Sequence, residues 1–106
     1  MSTDTEINVV NVPEKGRFEI HVDGELAGFT EYVDREDARV FPHTEVDEAY
    51  AGQGLAKRVI REGLEATRAQ GKLVLPVCPA VRGFIAKNPE YVDLVPEARR
   101  AEFGLA

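Results

Sequence analysis

The sequence predicts a mixed α/β (α+β) fold in which an antiparallel β-meander precedes a β-α-β unit and a short second helix. In the N-terminal third, apolar residues such as Phe18, Ile20 and Val22 alternate with polar ones, which is typical of half-buried strands. Further along, a strand pattern passes through Gly52 and Gly54 into residues that recur at helical spacing, and a short apolar run follows. Together these patterns predict one mixed sheet.

The meander contains four predicted strands, at Ile7–Val12, Arg17–Val22, 26–33 and Ala38–Val46. Asp23-Gly24 predicts a two-residue hairpin between the second and third strands, because both residues tolerate the positive φ of a type I′ turn. Residues 13–16 and 34–37 form the other turns. Pro42 cannot donate to a ladder, which implies a bulge or an edge in the fourth strand.

The β-α-β unit follows. A helix at 54–69 ends at Gln70-Gly71, and the apolar run 72–77 predicts a buried strand parallel to the fourth, reached by a right-handed crossover. We expect Val59, Ile60 and Leu64 to cover one face of the sheet. The remaining predictions are a second helix from Pro79 to Lys87, a last strand at 91–95, a terminal helical turn at 96–103 and a frayed segment at 1–6.

The glycine junction predicts an anion site. A helix start leaves backbone N–H groups unpaired at the positive end of the helix dipole, and glycine lets a ligand approach them closely. The simpler alternative is a tight turn with no ligand. The dinucleotide-binding motif Gly-x-Gly-x-x-Gly is excluded because Lys57 stands where its third glycine would be. The phosphate-binding loop of NTPases is excluded because no Gly-Lys-Ser/Thr follows.

The junction resembles the acetyl-CoA loop of the GNAT acyltransferases, written Gln/Arg-x-x-Gly-x-Gly/Ala. In its broader setting the pattern is Val-x-x-x-x-Arg-Gly-x-Gly-x-Gly/Ala. Val46, Gly52, Gly54 and Ala56 match this broader pattern, whereas Ala51 stands where the family has Gln or Arg. The resemblance covers about residues 40–95 and is greatest to short one-domain members with Cys-Pro after strand five. It implies acetyl-CoA binding, with the pyrophosphate on backbone N–H groups. The implied cofactor-binding residues are Val46, Ala51, Gly52, Gln53, Gly54, Leu55, Ala56, Lys57 and Arg58.

The resemblance also implies a sheet in which strands four and five splay apart. The family usually has two helices between its first two strands, and this chain has only residues 13–16 there. The part of the acceptor site that those helices form is therefore missing or supplied by a partner chain.

Acetyl transfer to an amine needs a base, stabilisation of the oxyanion and a proton for the leaving thiolate. His43 and Glu45 lie two residues apart on the fourth strand, hence on one face, just before the loop. A histidine near its unperturbed pKa of about 6.5 is a suitable base. The alternative is an exposed histidine after a bulge.

Cys78 follows the fifth strand at a helix N-terminus, a setting that lowers a thiol pKa. We expect it to accept the acetyl group or to protonate the leaving group, and the alternative is a small packed residue. Many family members use a tyrosine after strand five as the acid. This chain has Phe84 in that helix, so the acid would be Cys78, Tyr91 or solvent, with Tyr91 better explained as a packing residue.

Composition limits the partners. We expect a single domain spanning residues 1–106. With 13 basic and 19 acidic residues the net charge is -6, which opposes nucleic acid or an anionic membrane as partners. A single Cys excludes an intramolecular disulfide, no metal is expected, and residues 1–6 lack signal-peptide features. We expect a cytoplasmic monomer or homodimer.

Two functions remain. The first is an acetyl-CoA-dependent N-acetyltransferase acting on an unidentified amine, either a small molecule or a protein. The second is a non-catalytic acyl-CoA-binding or interaction module with the same fold. His43, Glu45 and Cys78 favour the first, whereas Ala51 and the missing tyrosine favour the second.

Overall fold

The computed structural model describes residues 5–105, so most of the segment expected to fray, 1–6, lies outside it. The described strands form a sheet in the order β1-β2-β3-β4-β5, antiparallel except for the parallel pair β4 and β5. The strands are β1 (Ile7–Val12), β2 (Arg17–Val22), β3 (Glu25–Arg35), β4 (Ala38–Val46) and β5 (Leu73–Leu75), and the helices are α1 (Leu55–Ala69) and α2 (Pro79–Lys87). Short 3₁₀ turns cover Pro13–Lys15, Glu48–Tyr50, Pro89–Leu94, Glu97–Arg99 and Ala101–Phe103.

The meander confirms the predicted turn and bulge. Asp23 and Gly24 have φ values of 50° and 84°, as the two-residue hairpin requires. In β4, Phe41 and Pro42 together oppose Tyr32 of β3, so Pro42 lies in a bulge where its missing N–H costs no ladder bond. Strand β3 is longer than predicted, because its pairing with β4 continues to Arg35.

Strand β5 is shorter than the predicted 72–77. It pairs with β4 only from Ala38 to Val40, and Pro76 then ends the ladder because it has no N–H to donate. The N–H of Val77 folds back to the carbonyl of Leu75 at 3.0 Å. Beyond Phe41, whose carbonyl accepts from the N–H of Cys78, β4 continues to Val46 without pairing with β5. The resemblance implied that these two strands splay apart, and the end of their pairing is compatible with that expectation.

The predicted last strand at 91–95 is wrong, because Pro89–Leu94 is a 3₁₀ helix. Pro89 stands in its first turn, where no N–H is needed. Tyr91 and Leu94, three residues apart, are both buried, which matches the three-residue turn of a 3₁₀ helix. The terminal helical turn predicted at 96–103 is present as two 3₁₀ turns.

Helix α1 covers one face of the sheet. The expected Val59, Ile60 and Leu64 are all buried, and they pack in one core with Phe18 and Phe41 from the strands. Of the described helices, none is long and apolar enough to cross a membrane.

A buried arginine joins the C-terminal end of α1 to the start of β4. Arg39 donates from Nε to Asp34 Oδ1 at 2.7 Å and from Nη2 to Gln70 Oε1 at 2.8 Å. Its guanidinium also lies 4.2 Å from the ring centre of Tyr32, and Nη1 donates to Thr67 Oγ1 at 3.3 Å. The side chain is only 3% exposed, so these contacts close this end of the sheet.

Candidate functional site

The glycine loop lies between the end of β4 and the start of α1. Asp47 Oδ1 accepts a hydrogen bond from the N–H of Ala49 at 2.8 Å, which shapes the turn before the glycines. Tyr50 donates to Glu25 Oε1 at 3.1 Å and so attaches the loop to the β2–β3 hairpin. Gly52 and Gly54 have φ values of 82° and 72°, a backbone conformation that is unfavourable for residues with a side chain. The loop conformation therefore depends on both glycines.

The start of α1 presents free backbone donors. The N-cap is Gly54, which has no side chain to accept from the first N–H groups of the helix. The first N–H of this turn that donates within the helix is that of Arg58, to the carbonyl of Gly54 at 3.2 Å. Among the residues that the structure describes, the N–H groups from Gly52 to Lys57 donate no hydrogen bond. Such donors at the positive end of a 15-residue helix favour an anion.

Two adjoining cavities surround these donors. The smaller, of about 200 Å³, lies over the loop between Val46 and Lys57, and Ala51, Gly52, Gly54, Leu55 and Ala56 also line it. The larger, of about 490 Å³, lies between α1 and α2 over Ile60 and Phe84. Ala56 and Lys57 line both, so the cavities adjoin at the first turn of α1. The larger has the size of a small-molecule site.

Basic side chains line the larger cavity. Lys57, Arg61 and Lys87 stand on its walls, with Arg61 also lying 5.6 Å from the ring centre of Phe84. Arg58, which we predicted as a ligand, bonds instead to Glu62 at 3.1 Å and to the carbonyl of Ile7 at 3.5 Å. Of the two predicted basic residues, only Lys57 lines the cavities.

Cys78 stands where β4 and β5 separate. Its N–H donates to the carbonyl of Phe41 at 2.7 Å, and its side chain is 4% exposed. Its Sγ lies 3.5 Å from Thr44 Oγ1, in position to donate its hydrogen. Thr44 Oγ1 in turn lies 2.8 Å from Thr30 Oγ1 on β3. The sulfur thus contacts one hydroxyl, that of Thr44, which is itself hydrogen-bonded to the hydroxyl of Thr30.

His43 and Glu45 are brought together, as predicted from their spacing. His43 Nε2 lies 3.2 Å from Glu45 Oε1, and both side chains are more than half exposed. The ring of Phe29 lies edge-on to His43, with centres 6.1 Å apart. Because side chains alternate along a strand, this pair lies on the sheet face opposite Thr44 and its partner Cys78.

A third cavity lies beside that pair. It has a volume of about 160 Å³ and is lined by Phe29, Glu45 and Asp47, with Leu26, Ala27 and Gly28 completing its wall. Two carboxylates and an aromatic ring are the groups that attract a cationic amine.

Tyr91 is a packing residue, as its position suggested. It is 4% exposed, its ring lies 5.7 Å from that of Phe84, and its hydroxyl donates to Glu65 Oε2 at 2.7 Å. Burial, together with this bond to Glu65, raises the pKa of Tyr91. A hydroxyl held by a carboxylate in this way is not free to act as the acid.

The sequence interpretation missed several residues of this region. Arg61 lies four residues after Lys57, on the same helix face, so helical spacing could have indicated it. Thr44 lies between His43 and Glu45, and strand alternation could have assigned it to the opposite face. Thr30 and Lys87 carried no comparable local signal, because only the folded chain brings them to the site. Among residues 5–105 no cluster of possible metal ligands is present.

Comparison with known proteins gives a family and a fold. Residues 17–94 match the family described as GCN5-related N-acetyl-transferase. No curated protein matches the sequence significantly. One similar solved structure is the ribosomal-protein-S18-alanine N-acetyltransferase from Escherichia coli, with a TM-score of 0.55, 13% identity, and coverage of 67% of this chain and 64% of that chain.

A second similar structure is a GNAT family N-acetyltransferase from Escherichia coli in complex with CoA. Its TM-score is 0.54 at 20% identity, with coverage of 70% of this chain and 64% of that chain. At such identities the likeness shows the fold alone. The chain spans 64% of the length of each of these two proteins.

Proposed function

The chain belongs to the GCN5-related N-acetyltransferase family, and we propose that it transfers an acetyl group from acetyl-CoA to an amine. The observation that carries this proposal is the row of N–H groups between Gly52 and Lys57 that have no acceptor within residues 5–105, at the end of β4 that does not pair with β5. The thiol of Cys78 contacts Thr44 on that same stretch of β4. An anionic carrier that ends in a thioester fits such a combination of groups.

The two adjoining cavities suit the two halves of acetyl-CoA. In our proposal the pyrophosphate accepts hydrogen bonds from the N–H groups of Gln53 to Lys57. The adenosine 3′-phosphate occupies the larger cavity near Lys57, Arg61 and Lys87, whose charges offset its own. The pantetheine arm follows β4 beyond Phe41, where β5 no longer pairs, and brings the thioester towards Cys78. That a similar fold has been solved in complex with CoA supports this placement.

Cys78 has two possible tasks in the transfer. In the direct route the amine nitrogen bonds to the acetyl carbon, the thioester C–S bond breaks, and the departing CoA thiolate takes the proton of Cys78. In the covalent route the Cys78 thiolate bonds to the acetyl carbon first and CoA leaves, after which the amine displaces the sulfur. Both routes take Cys78 through its thiolate form.

In this proposal the acceptor amine approaches from the opposite face of the sheet and reaches the thioester past the edge of β4 that β5 leaves unpaired. His43, held by Glu45, is the base that removes the amine proton. The nearby cavity with Glu45 and Asp47 suits a cationic amine of a small molecule or a protein. Only the 3₁₀ turn Pro13–Lys15 stands between β1 and β2 within residues 5–105, so this face lacks the helices usual in the family. A cytoplasmic location and a monomeric or homodimeric state belong to the same proposal.

Thermal unfolding with and without ligand tests the binding part. Acetyl-CoA at 100 times its dissociation constant should add about 2.7 kcal/mol of stability and raise Tm. Pantetheine, which lacks the adenosine, the pyrophosphate and the 3′-phosphate, is the matched control and should raise Tm much less. An unchanged Tm at millimolar acetyl-CoA and CoA would refute the proposal.

Release of free CoA in the presence of a panel of amines tests the catalytic part. Amine-dependent release that Cys78→Ala reduces supports an acetyltransferase. Tight acetyl-CoA binding without release across small amines and basic peptides would instead support the acyl-CoA-binding module.

A further inference from the structure

Two threonine hydroxyls lead from the sheet interior to the sulfur of Cys78. Thr30 of β3 and Thr44 of β4 are cross-strand partners, and their Oγ1 atoms lie 2.8 Å apart. Thr44 Oγ1 also lies 3.5 Å from Cys78 Sγ. Thr30 is fully buried, Thr44 is half-buried and Cys78 is 4% exposed. This hydroxyl pair is therefore largely shielded from water.

Packing alone does not require the hydroxyl pair. Valine has nearly the shape of threonine and would fill either position without burying a polar atom, which is unfavourable unless the atom is hydrogen-bonded. Within residues 5–105, the hydroxyl of Thr30 has Thr44 as its side-chain partner. The direction of its hydrogen is therefore coupled to that of Thr44, and through Thr44 to the state of the sulfur.

The hydrogens of the pair have two arrangements. In the first arrangement a neutral thiol donates to Thr44 and Thr44 donates to Thr30, which leaves the hydrogen of Thr30 without a side-chain acceptor among the described residues. In the second, Thr30 donates to Thr44 and Thr44 donates to the sulfur, so both hydroxyl hydrogens are used. A neutral thiol accepts such a hydrogen bond only weakly and a thiolate accepts it strongly, so the second arrangement is strongest when the sulfur has lost its proton.

We propose that Thr44, oriented by Thr30, is a positioning residue that donates a hydrogen bond to the sulfur of Cys78 when the thiol has lost its proton. The inference rests on the proposed function, because both routes of acetyl transfer take the sulfur through its thiolate form. Thr44 acts on the reaction only through Cys78. Its side chain thereby connects the buried hydroxyl of Thr30 on β3 to the sulfur of Cys78.

The rate of alkylation by iodoacetamide, measured against pH on the free protein, tests the proposal. Cys78 is the only cysteine, so the signal has one source. The pH at half of the maximal rate reports the thiol pKa regardless of how accessible the sulfur is. In Thr44→Val we expect this pH to rise by about one unit, which makes alkylation about tenfold slower below it. Thr30→Val should shift it less in the same direction, and Thr44→Ser should restore the wild-type profile.

Thr67→Val is the matched control. Its hydroxyl is also fully buried, but it donates to the carbonyl of Gly63 and accepts from Arg39, far along α1 from Cys78. This variant should lose stability and keep the wild-type profile. Charged groups on the elements around Cys78, namely Arg82 on α2, His43 and Glu45 on β4 and Lys57 on α1, are unchanged in every variant, so a difference reports the hydroxyl.

A Thr44→Val profile that coincides with those of the wild type and Thr67→Val would overturn the proposal. If Thr44→Val does not fold, Thr30→Val decides, and an unshifted profile there has the same consequence. The measurement needs neither acetyl-CoA nor an acceptor. A protein that fails to bind acetyl-CoA yet shows the shift would refute the proposed function and leave the hydrogen bond established.

Discussion

The two ends of helix α1 are built in opposite ways. At its C-terminal end, buried Arg39 donates to Asp34, Thr67 and Gln70, and it stacks on Tyr32. At its N-terminal end, the cap is a glycine with φ of 72°, and the first backbone donors have no partner among residues 5–105. Polar groups are satisfied by the protein at one end and left for a ligand at the other.

This difference separates stability from binding along one helix. The contacts of Arg39 hold β4 and α1 together where β5 still pairs. Beyond Phe41, β4 no longer pairs with β5 and leads to the loop with the free donors. We therefore expect changes at the closed end to alter the free energy of unfolding, and changes at the open end to alter ligand affinity or turnover. Four variants test this, in order of decreasing effect on stability.

Arg39→Met should be the most destabilising, at about 3 kcal/mol, because it removes the charge-assisted hydrogen bonds of a buried guanidinium to Asp34 and Gln70 together with its stacking on Tyr32. Urea unfolding measures the loss. Arg58→Met is the control at the open end. Its pair with Glu62 is exposed, so the change should stay within about 0.5 kcal/mol.

The affinity of Arg39→Met for acetyl-CoA should equal that of the wild type under conditions where both are folded. A weakened affinity would show that the closed end also shapes the loop, and the separation drawn between the two ends would not hold.

Gly54→Val should cost about 1–2 kcal/mol, because a β-branched residue is strained at positive φ, and it should abolish binding of acetyl-CoA. Gly71 is a close match. It lies after the other end of α1 with φ of 70°, and at both glycines a Cβ would meet nothing within 4 Å. Gly71→Val should lose similar stability and keep the ligand-dependent rise in Tm. Equal loss of binding in both variants would mean that general strain, and not the loop, is responsible.

The two ends also differ in how far the sequence could predict them. The loop, the helix start and the exposed pair of His43 and Glu45 follow from local spacing, and the structure contains the loop and the pair as expected. The role of Arg39 had no local signal, because its partners Thr67 and Gln70 are about thirty residues away in the chain. From the sequence alone, an arginine in a strand is expected to be exposed. Only the position of α1 in the fold shows that Arg39 is covered.

The misassigned segment at 91–95 has a similar explanation. Its apolar residues match a short strand, but the choice between strand and 3₁₀ helix depends on whether a neighbouring strand edge is available. Here Tyr91 instead packs against Phe84 of α2 and bonds to Glu65 of α1. The segment therefore packs on the two helices and does not extend the sheet. Tertiary contacts of this kind override local propensity.

Asp34→Asn should have a smaller effect that depends on pH. The hydrogen bonds from Arg39, helped by the charges of Arg39 and Lys72, lower the pKa of Asp34 below its usual value. A lowered folded-state pKa adds stability above the unfolded value, and this stability is lost as the pH falls below about 4. The variant should be less stable than the wild type at pH 7, and the difference should shrink towards pH 2.

Urea midpoints between pH 7 and pH 2 measure that convergence. Asp37→Asn, an exposed change in the adjacent turn whose side chain makes no hydrogen bond within residues 5–105, serves as the control and should run parallel to the wild type. If the Asp34→Asn and wild-type curves also ran parallel, the ion pair with Arg39 would contribute nothing that depends on the ionised carboxylate.

His43→Asn should be the mildest of the four in stability, within about 0.5 kcal/mol, because the side chain is more than half exposed and its pair with Glu45 is open to water. The rise in Tm with acetyl-CoA should also be unchanged, since His43 projects from the face opposite Thr44 and Cys78. Turnover on an accepted amine should nevertheless fall by about 10²-fold or more, because a positioned base contributes that much. A variant that is stable, binds acetyl-CoA and turns over normally would remove His43 from the mechanism. A His43→Asn variant that no longer binds acetyl-CoA would show that His43 contacts the acetyl-CoA site. The assignment of His43 to the acceptor face and of Thr44 and Cys78 to the acetyl-CoA face would then be wrong.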